Sequence, residues 1–206
     1  MRLELDHIAV AGATLAEATE AVEAALGVRL QKGGEHDVFF THNTLLGLED
    51  GLYLEAIAIN PAAPAPDCPR WFDLDRFSGP PRLTNWICRT DDLAGILPEL
   101  APGVGRTVKL QRGDLRWQMA VPDTGILPFD NVHPAVIEWG TDLHPANMLE
   151  ASGCRLKRLV VAHPLGRELR GILDPYLQDP RVVVETGESP GLLAEVDTPH
   201  GLRLLR

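Results

Sequence analysis

The chain is short of everything a nucleotide-binding, secreted or membrane protein needs. Only three of its 206 residues are cysteine. Cys68, Cys88 and Cys154 are odd in number, far apart and form no CxxC, so the pattern describes neither a zinc knuckle nor a disulfide framework. They read as small buried hydrophobes of a reducing, cytoplasmic compartment. No apolar run approaches the length of a membrane span. The opening Met1-Arg2-Leu3-Glu4-Leu5-Asp6-His7 carries charges where a signal peptide needs an apolar stretch. Bases are few: 19 Lys and Arg stand against 29 Asp and Glu, a net charge of −10. Such an acidic surface disfavours nucleic acid and anionic membrane as partners and leaves a small molecule. The glycines of Gly12, Gly33-Gly34 and Gly103-Val104-Gly105 build no GxGxxG or Walker loop, and there is no GxSxG. Nucleotide binding and serine hydrolysis therefore lack support.

What is present is a repeated pattern. Leu5, His7 and Ala9 alternate with Asp6, Ile8 and Val10, the period of a strand. Thr14-Leu15-Ala16-Glu17 is a capping box opening a helix that Gly27 closes. Gly33-Gly34 reads as a break, Asp37–Thr41 and Thr44–Leu48 as strands, and Leu52–Ile59 as an apolar strand interrupted by Glu55. A Pro-rich connector, residues 61–82, ends the first unit of residues 1–60. Leu83–Cys88 then matches Leu5–Val10, and Ala135–Trp139 is again an apolar strand interrupted by one acid, Glu138. Asn85 stands 78 residues after His7, and Glu138 stands 83 after Glu55. Nearly equal offsets predict a duplicated unit, the second over residues 83–142. Residues 143–206 form a third, partial unit of strand, helix and short strands, in which Arg158 takes the place of His7.

An ionised carboxylate inside an apolar strand needs a partner or a metal. With first and last strands of each unit side by side, His7, Glu55, Asn85 and Glu138 converge on one centre, a donor set suited to a divalent Zn, Mn, Fe, Co or Ni. The bland alternatives are a hydrogen-bonded core histidine and glutamates paired with arginine. His36 reads as a cup-wall or turn residue, or as a further imidazole ligand. Asn43 suits a substrate contact or a turn equally. His42, His133, His144, His163 and His200 read as loop residues, Arg106, Arg112 and Arg116 as solvated or ion-paired surface, and Trp117 and Met119 as core.

These segments, with Gly34-Glu35-His36, Thr41–Leu45, Trp71-Phe72 and Leu127-Pro128-Phe129, resemble the glyoxalase-like domain family of the vicinal oxygen chelate superfamily. The resemblance covers about residues 3–142 as a set of short motifs. It implies an α+β fold of paired βαβββ modules forming a cup-shaped, mostly antiparallel sheet. It implies metal ligands at His7, Glu55, Asn85 and Glu138, with Glu55 or Glu138 as general base of a lyase or isomerase that chelates two neighbouring substrate oxygens. Asn85 departs from the His or Gln usual there. That departure keeps a metal-free binding protein of the same cup as an alternative, and an extradiol-type dioxygenase, needing two His and one carboxylate, as another. Modules of that superfamily pair within or between chains, so a homodimer stays open.

Overall fold

A computed structural model describes all 206 residues. Twelve strands form one large sheet, curved but not closed. In chain order they are β1 (Glu4–Ala11), β2 (Gln31–His36), β3 (Thr41–Leu48), β4 (Leu52–Ile59), β5 (Arg82–Arg89), β6 (Arg106–Arg112), β7 (Leu115–Val121), β8 (Ala135–Trp139), β9 (Ala151–His163), β10 (Val182–Thr186), β11 (Gly191–Thr198) and β12 (Gly201–Leu205). The helices are α1 (Leu15–Leu26), α2 (Leu93–Ile96), α3 (Pro145–Met148) and α4 (Gly166–Leu173). None is long and apolar enough to cross a membrane.

The duplication is visible in the pairing. β1 lies parallel to β4 and β5 parallel to β8, while β1 and β5 join antiparallel at the centre. There Ile8 faces Trp86, flanked by His7 opposite Ile87 and Ala9 opposite Asn85. A local twofold through Ile8 and Trp86 therefore exchanges His7 with Asn85, so the 78-residue offset holds in space. The third unit has the same order of elements but another pairing: β9 lies parallel to β10, the strand directly after the helix, and antiparallel to β11. Arg158 there is exposed and faces Glu195 at 3.8 Å.

Each face of the sheet has its own core. Ile8, Leu54, Trp86 and Val136 pack against Val22 and Leu26 of α1 and against Leu93 and Ile96 of α2. The inner face carries Ala9, Ile57, Ile87, Ala135 and Ile137, filled by Trp71 and Phe72. The connector thus does more than join: it drops two aromatics into the cup, with Trp71 stacked on Phe39 at 4.6 Å and on Phe72 at 5.1 Å. Helix α1 begins and ends where the sequence places it. Both halves of the Thr14–Glu17 capping box form, and Gly27 takes φ 74° at the C-cap.

Two local expectations are corrected. Asp37–Phe40 is a turn, not a strand. Phe39 is buried against Trp71, and the Phe40 N–H donates to the His36 carbonyl at 2.8 Å. Of the apolar run only Phe39 is buried, by a tertiary aromatic contact, and Val38 is exposed; local alternation cannot distinguish this from a strand. Gly33-Gly34 does not break the chain either. The two glycines lie within β2 as a bulge between the pairs Lys32–Thr44 and Glu35–His42, so both oppose Asn43.

Candidate functional site

The site lies on the inner face of the first module. In β4, Leu52, Leu54 and Ala56 enter the helix-side core, so Tyr53, Glu55 and Ile57 point inward. In β1 a bulge at Asp6 shifts the pairing between Leu5 and His7. Leu5 and Ile8 then share the helix-side core although they stand three positions apart, and Asp6 and His7 meet each other. Simple alternation places these two on opposite faces; the bulge brings them together.

Asp6 is fully buried, and three side-chain N–H groups converge on it. His7 Nδ1 lies 2.6 Å from one oxygen; His144 Nε2 at 2.9 Å and Trp139 Nε1 at 3.1 Å meet the other. Burial by itself raises a carboxyl pKa. Here the hydrogen bonds from His144 and His7 outweigh it and hold Asp6 far below the usual carboxylate range. An ionised carboxylate only accepts, so His7 carries a proton on Nδ1 and turns its Nε2 edge to the cup. His144 is satisfied as the Nε2–H tautomer, its Nδ1 accepting from the Ala146 N–H at 3.2 Å. His7 also stacks on Tyr53 at 4.2 Å. Burial, reinforced by the charges of Asp6 and Glu55, pushes the Tyr53 phenol well above its ordinary pKa and keeps it neutral.

His7 Nε2 faces Glu55 Oε2 at 3.8 Å. The other Glu55 oxygen accepts from Asn43 Nδ2 at 2.5 Å. Asn43 Oδ1 in turn accepts from the Gly34 N–H at 2.8 Å and from Arg112 Nη1 at 3.1 Å. A polar chain therefore crosses the cup from Arg112 on β6 to Asp6 on β1, broken at the 3.8 Å gap between His7 and Glu55. The cavity at that gap is about 30 Å³, room for one or two water-sized groups. His36 shares it, with Nδ1 held by Thr41 Oγ1 at 2.9 Å. Burial first, then the Arg112 charge, lowers the His36 pKa to about 3. The far wall, from the second module, includes Trp117, Met119, Ile137 and Trp139.

Gly33-Gly34 makes this arrangement possible. A Cβ on Gly33 meets Asn43 Oδ1 at 2.0 Å and its carbonyl oxygen at 2.7 Å, and one on Gly34 meets Arg112 Cδ at 2.6 Å. Gly33→Ala is expected to cost about 1–3 kcal/mol, as overpacking does. It should also unseat Asn43 from Glu55. Urea unfolding of the variant measures this, and wild-type stability would refute the contact.

The four residues singled out from the sequence part company. His7 and Glu55 meet. Asn85 lies on the inner face, fully buried, with neither amide atom hydrogen-bonded, but it does not line the cavity. Glu138 is on the other face, where its Oε2 accepts the Leu93 N–H at 2.7 Å and caps α2. This corrects its placement beside Glu55. Ala9 pairs with Glu55, and its twofold mate Ile87 pairs with Ala135, so Ala135 holds the position equivalent to Glu55. Glu138 lies three residues further on, and an odd displacement along a strand reverses the face. The offset of 83 carries those three extra residues.

Of the residues read as loop, core or surface, His144, Trp117, Met119 and Arg112 belong to this centre or its walls. Arg106 is paired with Asp123, and Arg116 donates to the backbone carbonyls of Gly113 and Leu115. The inner-face position of Asn43 was readable from β3 alternation, but its link to Arg112 spans 69 residues and left no local signal.

Paired modules joined through β1 and β5, with polar groups inside the cup, define a vicinal-oxygen-chelate fold. The glyoxalase-like domain family matches residues 5–177, and the chain belongs to it. No curated protein matches the chain. Among solved structures, a hypothetical protein from Staphylococcus aureus aligns over 92% of this chain and 88% of its own, with a TM-score of 0.63 and 15% identity. Methylmalonyl-CoA epimerase from Mycobacterium tuberculosis aligns over 66% and 85%, with a TM-score of 0.41 and 21% identity. That from Streptomyces coelicolor, in complex with 2-nitronate-propionyl-CoA, aligns over 68% and 100%, with a TM-score of 0.45 and 15% identity.

The divalent metal that the superfamily usually binds can be tested against this donor set. No three His, Cys, Asp or Glu side chains come together as a metal group. His7 and Glu55 supply two donors, Ala135 stands where the twofold calls for a second carboxylate, and Glu138 is engaged elsewhere. The set does not fit a four-ligand divalent centre.

Proposed function

We propose that the protein is an isomerase-type proton-transfer enzyme for a small oxygenated molecule, with His7 as base. The observation behind this reading is the buried Asp6 carboxylate, which holds the proton on His7 Nδ1 and turns Nε2 toward Glu55 across the cavity. A neutral imidazole oriented by a buried carboxylate is the arrangement of a general base. His7 removes a proton from the carbon next to a carbonyl. The C–H electron pair moves to the carbonyl oxygen, and Asp6 balances the imidazolium that forms. Arg112, on the cavity wall, faces the developing oxyanion. Return of the proton to a neighbouring atom, by His7 or through Glu55, completes an isomerisation; loss of a leaving group instead completes an elimination.

The test is deuterium exchange in D2O, followed by proton NMR, over a panel of small 2-hydroxy and 2-oxo carbonyl compounds. The wild type should exchange the proton next to the carbonyl of at least one of them. His7→Gln should lower the rate by about 10²–10⁴ and Glu55→Gln should lower it too. Exchange that survives in His7→Gln overturns the assignment. Tight binding of zinc or nickel on titration, lost in Glu55→Gln, would return the site to the metal-dependent lyase or isomerase reading. The dioxygenase alternative loses ground, because one histidine rather than two faces Glu55 at contact range. A binding protein without catalysis is the second reading, favoured by the apolar far wall and the small cavity; it predicts a ligand and no exchange.

A further inference from the structure

Next to the catalytic cavity lies a groove of about 570 Å³, within the range of small-molecule sites at roughly 300–1,000 Å³. It runs between the bulge of β2, the hairpin of β6 and β7, and the segment around α3. Arg112 belongs to the walls of both spaces. Leu45, also on the groove wall, is the cross-strand neighbour of Glu55. The groove therefore adjoins the reacting centre, with the Arg112 side chain between the two spaces.

Its chemistry is divided. The α3 side is apolar, with Leu143 at 43% and Met148 at 62% exposure, two of only seven large hydrophobics left open to solvent. Leu149 and Leu45 continue that surface inward. The opposite side carries Lys32 and Arg112. Neither makes a salt bridge, and the half-buried Arg112 guanidinium has only the Asn43 amide oxygen as a hydrogen-bond partner. The acid in the groove, Asp114, is exposed on the hairpin turn. A protein of net charge −10 that keeps two unpaired cations facing an exposed apolar wall offers a seat for an amphiphilic anion.

We infer that this groove binds the body of an amphiphilic monocarboxylate, its anionic head on Arg112 and its aliphatic part along Leu45, Leu143 and Met148. The inference deepens the reading of the His7–Glu55 centre by naming the substrate class: the reactive carbon enters the small cavity while the chain stays in the groove. It stands on binding alone, so its failure is separable from failure of the catalytic reading.

The experiment is calorimetric titration of the full chain with butanoate, hexanoate and octanoate, and with 1-octanol as the uncharged control. Affinity should rise about three- to fourfold per added methylene, as apolar burial requires. Octanoate should bind at least about tenfold tighter than octanol. Arg112→Gln should abolish that preference, and Arg112→Lys should keep part of it. Leu143→Glu with Met148→Glu, both exposed and safe for folding, should flatten the dependence on chain length. His7→Gln should bind octanoate like the wild type even where exchange is lost. The inference is overturned by equal affinity for octanoate and octanol, by no saturable binding at any length, or by unchanged binding in Arg112→Gln. It is also overturned if sedimentation shows a dimer that Leu143→Glu with Met148→Glu dissociates, since a second copy of the chain is then what covers the groove.

Discussion

Asp6→Asn is expected to destabilise the protein by about 3–5 kcal/mol, the usual cost of removing one partner from a buried charged network. The carboxylate accepts from His7, His144 and Trp139 with no solvent access. Asparagine offers one oxygen in place of two, and its amide group points a donor at donors. At least one buried N–H is then left unpaired, itself worth about 1–3 kcal/mol. Trp139→Phe removes only the 3.1 Å contact to the charged carboxylate and keeps most of the packing, so it should cost about 1.5–3 kcal/mol. Chemical denaturation of both variants gives the comparison. Similar small losses in the two would mean that Asp6 is not the centre of the network. Asp6→Asn also frees His7 to carry its proton on Nε2, so the proton exchange proposed for the site should fall more steeply than stability alone explains.

Acid should unfold the protein early. Burial lowers the His36 pKa to about 3, and burial, opposed by the Pro134 carbonyl, lowers that of His133 to about 4. Both are depressed below the ordinary 6.5, so the folded protein holds them neutral while the unfolded chain protonates them. Their contribution is complete above pH 6.5 and declines as the pH falls toward the folded values. Two such groups each lose ~1.4 kcal/mol per pH unit, so roughly 4–5 kcal/mol disappears between pH 6.5 and 4.5. Asp6 acts in the same sense at lower pH: its depressed pKa contributes stability above about 3.9, lost as the pH falls below it. Unfolding free energies measured every half unit should show a slope near two protons around pH 5. His133→Gln should reduce it to one. A flat profile from pH 7 to 4.5 would contradict the buried neutral histidines.

Much of this architecture is legible in the chain. The capping box, the alternation of β4 and the 78-residue offset between His7 and Asn85 all stand in three dimensions. Each rests on local backbone geometry or on a repeat whose copies pair through their first strands. The errors have a common source. The 83-residue offset to Glu138 overshoots the position equivalent to Glu55, Ala135, by three residues along the strand, and an odd number reverses the face. The bulge at Asp6 likewise adds one residue that alternation does not register, and it turns an acid expected on the far face into the support of His7. Arg112 and His144, read as surface and loop, enter the site because the hairpin of β6 and β7 and the segment before α3 fold over its mouth.

By itself the sequence determined that two related strand–helix–strand units follow one another, and that His7 and Glu55 lie in apolar strands where a polar group needs a partner. Period, caps and hydrophobicity are properties of neighbouring residues, and they survive in any fold the chain adopts. Only the tertiary structure decided what the partners are: Asp6 for His7, Asn43, itself held by Arg112, for Glu55, and a helix N-terminus for Glu138. Those choices depend on strand register and on bulges, where a shift of one residue moves a side chain from one core to the other.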